Sequence, residues 1–204
     1  MTPARGPVQL DLSAFDTRER LIRAALHLFQ ARGYHAVGLT EILKLAACPK
    51  GSLYHHFPGG KSALGVAVIH WLRDEIRDHF ARAEARALPA RKLVARLFSG
   101  TGDWLEASNW RHGALLAVMA QELVPSDPDL SAAIRHAYAS GSAAFTRALV
   151  AGGLAEPQAS QMADTVLAML DGAIPRARTE GNARLFALLA QQADRLFDAL
   201  EQAP

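Results

Sequence analysis

Apolar positions in this chain recur at spacings of three and four residues, and no stretch shows the strict alternation of a half-buried strand, so an all-α fold of about nine helices is predicted. Starting from Asp16, the residues Ile22, Ala25, Leu26 and Phe29 share one face of a first helix, which Gly33 should end. A short helix follows from about Thr40 to Ala47, with the Thr40 hydroxyl in the capping position. Cys48-Pro49 stops it, because a residue before proline is pushed out of the helical region. A second short helix is expected from Pro49, as first helical residue, to Phe57, ahead of Pro58-Gly59-Gly60. Leu53 and Phe57 lie four apart and give it a buried face, which leaves Lys50, Gly51, Ser52, Tyr54 and His55 mostly outward.

Beyond this pair the periods lengthen. Ser62 to Leu88 reads as one helix on the order of 40 Å long, able to join the first part of the chain to the rest and to carry a displacement between them. Further helices are expected over 90–108 and 113–123. Asp127 caps the next one with Pro128 as its first residue, and Gly152-Gly153 closes it. Glu156-Pro157 opens another, which Pro175 should kink or end. A last helix from Asn182 to about Glu201 sets Leu185, Leu189, Leu196 and Leu200 on one face. The organisation expected is a flexible arm over 1–14, with Pro3, Gly6 and Pro7, a small helical domain over 15–61, and a larger one over 62–204.

Half of the 204 residues are hydrophobic, enough for a substantial core. A single cysteine forms no internal disulfide, and neither a signal peptide nor a long apolar run is visible, so a cytoplasmic protein with no membrane partner is expected. The net charge of +2 is unevenly placed. Residues 1–61 hold eight Lys and Arg against four Asp and Glu, and the remainder is acidic by two. A basic excess around two short helices joined by a tight turn is what phosphate binding requires.

Enzyme chemistry finds little support. There is no phosphate-binding glycine loop, no nucleophile elbow, no His-Glu-x-x-His and no paired-cysteine motif. His55 and His56 point about 100° apart on a helix with no third ligand spaced to join them, so no metal and no cofactor is expected. Cys48 is read as a small apolar residue filling the turn rather than a redox switch.

The run Pro49-Lys50-Gly51-Ser52-Leu53-Tyr54-His55-His56-Phe57-Pro58-Gly59-Gly60-Lys61, preceded by Gly33-Tyr34 and Ile42-Leu43, resembles the helix-turn-helix DNA-binding domain of the TetR family of bacterial transcriptional regulators, most of all its LmrA/YxaF-like branch. The likeness is strongest over residues 16–65. It implies a homodimer on an inverted-repeat double-stranded DNA operator, with Lys50, Gly51 and Ser52 nearest the base edges and Thr40, Tyr54, His55 and Lys61 toward the phosphates. Two places depart from the branch: His112-Gly113-Ala114 stands where it usually has Gly-Cys-Pro, and Asp171-Gly172-Ala173 where it has Glu-Gly-Ala.

The resemblance also implies an input domain, and the residues expected to line a pocket for a small hydrophobic or aromatic effector are Trp104, Trp110, His112, Met119, Tyr138, Phe145 and Met169. The last two helices are expected to form the dimer interface. The competing expectation is an all-α carrier or enzyme whose N-terminal helices are only structural.

Overall fold

A computed structural model describes residues 11–201, and all regular structure among them is helical. In chain order the helices are α1 (Thr17–Arg32), α2 (Leu39–Leu45), α3 (Lys50–His56), α4 (Gly60–Ala85), α5 (Ala90–Ala107), α6 (Leu115–Leu123), α7 (Pro128–Ala151), α8 (Glu156–Glu180) and α9 (Arg184–Glu201). Of the arm read from the sequence, residues 1–10 lie outside the described residues. Leu12 is buried in the core and its carbonyl accepts from the Phe15 amide, so the chain is already packed before α1.

Capping explains most of the helix starts. The Asp16 side chain accepts from the Glu19 amide, and the Asp127 side chain accepts from the Leu130 amide with Pro128 following, as read from the sequence. Three details differ. Thr40 does not cap α2: Gly38 is the capping residue, and the helix starts one residue earlier because Leu39 packs against the core. Pro49 is not the first residue of α3 but sits just outside it, with extended ψ of 152°. Nor does Pro175 end α8, which runs five residues further. Proline forfeits one main-chain hydrogen bond, about 3 kcal/mol with its steric cost. Buried Ala173, Ile174 and Ala177 on the opposite face hold both flanks to the core while Pro175 faces solvent.

The core divides into two clusters. One joins α1, α2 and α3 to the first half of α4, to α6 through Leu115, Met119 and Leu123, and to the start of α7 through Leu130 and Ile134. The other gathers Phe80, α5, the end of α7, α8 and α9. Ile76 packs against both, and α4 and α7 make the most extensive helix pair in the molecule.

Candidate functional site

The turn between α2 and α3 is built so that α3 stands with one face free. Leu53 and Phe57 are buried against the head, and the Cys48 thiol, half-buried in the turn, donates to the Ala46 carbonyl. Lys50, Gly51, Tyr54 and His55 are exposed and Ser52 is half-buried; Thr40 on α2 is exposed as well. Tyr54 is 49 % exposed, so its ring is open to contact with an external surface. A Cβ on Gly51 would meet nothing, so the protein's own packing places no demand for glycine there. His55 and His56 touch edge to face at 5.0 Å, and no group of three metal-ligating side chains occurs among the described residues.

Lys61 is placed differently from the rest. Its ammonium lies 4.4 Å from the centre of the Tyr34 ring, and burial lowers its pKa while the nearby Glu122 carboxylate opposes that shift. Glu122, near the end of α6, also accepts from the His35 main-chain N–H at 2.8 Å. A side chain on Gly33, whose φ is +83°, would collide with that carboxylate. Close by, the Ser62 hydroxyl donates to Asp127 Oδ2 at 3.2 Å while Asp127 Oδ1 caps α7. Burial and the Asp127 charge raise the Tyr34 pKa to about 12.

A second joint lies at the other end of α6. The Gly113 amide donates to the Gln30 carbonyl at 2.9 Å, and the Arg178 guanidinium of α8 donates to the carbonyls of Trp110 and Arg111. His27 and His112 meet edge to face at 5.1 Å; burial lowers both pKa values, and Nδ1 of His112 has no hydrogen-bond partner. Thus α6 is tied to the N-terminal helices at both ends.

Between these ties lies a chamber of about 370 Å³ lined chiefly by apolar side chains of α4, α6, α7 and α8. The Tyr138 hydroxyl on its wall donates to Asp171 Oδ2 at 3.1 Å, and burial raises the Asp171 pKa against that hydrogen bond. An outer chamber of about 750 Å³ opens between α4 and α5, and the two share Ile76, Thr101, Trp104 and Leu167. Of the seven residues expected in a pocket, Trp104 and Tyr138 line this space. Met119 and Phe145 are fully buried core, Phe145 stacked on Phe80 at 4.5 Å. Trp110 and Met169 pack against the second core cluster, and His112 lies against the Trp104 ring at 5.7 Å.

Sequence reasoning missed Glu122 and the Gln30–Gly113 joint. One signal for Glu122 was present: an acidic residue in the last turn of a helix opposes the helix dipole, a placement that needs a reason.

The family description "Bacterial regulatory proteins, tetR family" matches residues 21–68, and "Transcriptional regulator LmrA/YxaF-like, C-terminal domain" matches residues 89–192. The regulator LmrA of Bacillus subtilis is 33% identical over 178 residues, covering 84% of this chain and 91% of its own length. YxaF of the same organism is 28% identical over 177 residues, covering 87% and 93%. Among solved structures, a TetR transcriptional regulator from Legionella pneumophila superposes with a TM-score of 0.80 at 20% identity over 91% of this chain and 99% of that one. The reduced form of Escherichia coli NemR gives 0.75 at 24% over 89% and 97%. With its free reading face on α3 and both halves matched, the chain belongs to the TetR family of transcriptional regulators, in the LmrA/YxaF-like branch, and is a DNA-binding regulator rather than an enzyme.

Proposed function

We propose that this regulator is a repressor that binds an inverted-repeat operator as a homodimer and is released by a small hydrophobic or aromatic effector. The observation that carries the reading is the chamber beneath α6, a helix anchored to the head by Glu122 at one end and Gly113 at the other. A ligand that shifts α6 acts on the turn that precedes α2 and on the start of α4 together. Repression is in keeping with an Escherichia coli relative, NemR, that is named as a repressor and is 31% identical over 137 residues.

The two-fold pairing is assigned to α8 and α9. On α9, Phe186, Ala193 and Phe197 are buried within the chain, while Leu188 and Leu196 are 48% and 38% exposed. Such an apolar stripe on a terminal helix matches a four-helix interface with a symmetry mate, and that symmetry suits a palindromic site. On the head, Lys50, Gly51 and Ser52 face the base edges, with Thr40, Tyr54 and His55 toward the backbone. Lys61 joins them once it leaves Tyr34.

The energetic requirement is explicit: a hundredfold release of DNA needs about 2.7 kcal/mol of effector preference for the non-binding state. The test is retardation of DNA from upstream of the protein's own gene, paired with a thermal-shift screen of small aromatics. Specific, salt-sensitive retardation is expected, with at least one stabilising compound that lowers operator affinity. Absence of specific retardation at low salt would overturn the reading.

A further inference from the structure

The outer chamber differs in charge from the inner one. Arg82 from α4, Arg86 just past its end and Arg96 from α5 stand on its lining together with His79, and the one carboxylate among the lining side chains is Glu75. None of the three guanidinium groups has an ion-pair partner among the described residues; Glu84 on α4 is taken by Arg147 of α7. Arg82 and Arg86 lie one helical turn apart and Arg96 comes from the facing helix, so cationic side chains border one opening from two sides. Glu75 is the one carboxylate on the lining to offset their mutual repulsion, so the opening keeps an excess of positive charge.

The inner chamber has the opposite character. Its walls are mainly apolar, with Gln30, Thr101 and the Tyr138–Asp171 pair as the polar side chains, and Asp171 is its one carboxylate, which repels an anion. The waist between the two is Ile76, Thr101, Trp104 and Leu167. From Ile76 to Arg86 the α4 backbone advances about 15 Å, the reach of two linked aromatic rings with a substituent.

We infer that the effector is an elongated apolar carboxylate, its body in the inner chamber and through the Trp104 waist, its carboxylate among Arg82, Arg86 and Arg96. This inference rests on the reading of the cavity as the effector site and adds the charge and the direction of entry. Arginine forks pair with carboxylates through two parallel hydrogen bonds, and the side chains reach them without being buried beforehand.

The test compares biphenyl-4-carboxylate with biphenyl-4-carboxamide, equal in shape and different in charge, by calorimetry on the full-length protein without DNA. The carboxylate is expected to bind on the order of tenfold more tightly than the amide, and the gap should narrow at high salt. Arg82→Gln combined with Arg96→Gln should weaken the carboxylate and leave the amide unchanged; both sites are exposed, so folding is retained. Leu167→Trp should weaken both by closing the waist. Equal binding of the two compounds overturns the charge assignment while leaving an apolar effector cavity in place. Carboxylate binding that survives Leu167→Trp, or no binding of either compound, overturns the site itself. Operator retardation, measured separately, reports on the regulator reading and is independent of all these outcomes.

Discussion

Glu122 and His35 lie 87 positions apart in the chain, yet the Glu122 carboxylate accepts the His35 main-chain N–H at 2.8 Å and so fastens the end of α6 to the loop between α1 and α2. Glu122→Ala removes that acceptor and the charge beside Lys61. A loss of about 1 kcal/mol in urea unfolding is expected. Faster amide exchange at His35, with exchange in α9 unchanged, would locate the effect at this joint. Unaltered exchange at His35 would show that the contact does not hold the loop.

Gly51 offers a separation of stability from binding. Since an added methyl group meets nothing within the protein, Gly51→Ala should raise thermal stability slightly, by about 0.5 to 1 kcal/mol, through helix propensity. Operator affinity should fall, because the methyl group intrudes where α3 approaches the groove. A variant that gained stability and bound DNA as well as before would remove the close approach at Gly51 from the binding geometry.

Lys50 and Lys61 should fail in different ways. Lys50→Ala is expected to cost about 1 to 3 kcal/mol of specific binding and to relax base choice. Lys61→Ala should weaken all sequences alike and flatten the salt slope by about one. Binding titrations at several salt concentrations, on specific and random DNA, distinguish the two patterns.

Leu196→Arg is the clean probe of the pairing surface, because the residue is 38% exposed within the chain and its replacement leaves the fold intact. Sedimentation should show a monomer that melts normally and does not retard operator DNA. A persistent dimer would move the interface away from α9.

Acidification should loosen the α1–α6 joint. Burial holds His27 and His112 below the ordinary histidine value near 6.5, and His112 is lowered further by His27 and Arg178. A histidine depressed in the folded state binds its proton more readily when unfolded. Stability is therefore fully present above about 6.5 and is lost as pH falls below it. His70 and His79 are shifted the same way and add to the slope. Replacing both His27 and His112 by Gln should flatten part of the fall in melting temperature between pH 7.5 and 5.5. An unchanged slope would place the acid sensitivity elsewhere.

Much of this architecture was legible because local chemistry decided it. Asp127 marks a helix start by capping, Leu53 and Phe57 orient α3 by their spacing, and Gly33 stops α1. Where tertiary packing overrode local preference the reading slipped. Leu39 drew α2 in ahead of Thr40, and buried Ile174 and Ala177 carried α8 past Pro175. The lining of the cavity was the least legible part. Phe145 and Tyr138 occupy the same helix seven residues apart, yet one is stacked in the core and the other borders the chamber. Their fates depend on whether Phe80 or open space stands opposite, and neither is written in the helix itself.

The core cluster that runs from Leu21 and Phe29 through Ile42 and Leu53 into Met119, Leu123 and Ile134 has a consequence for how the protein melts and evolves. The reading head has no closed interior of its own, so a fragment ending at residue 61 lacks the side chains of α4, α6 and α7 that cover its hydrophobic centre. Denaturation should be a single cooperative event, seen alike by a probe in α3 and a probe in α9, and a head grafted onto an unrelated body would fold only if that body supplied the missing wall.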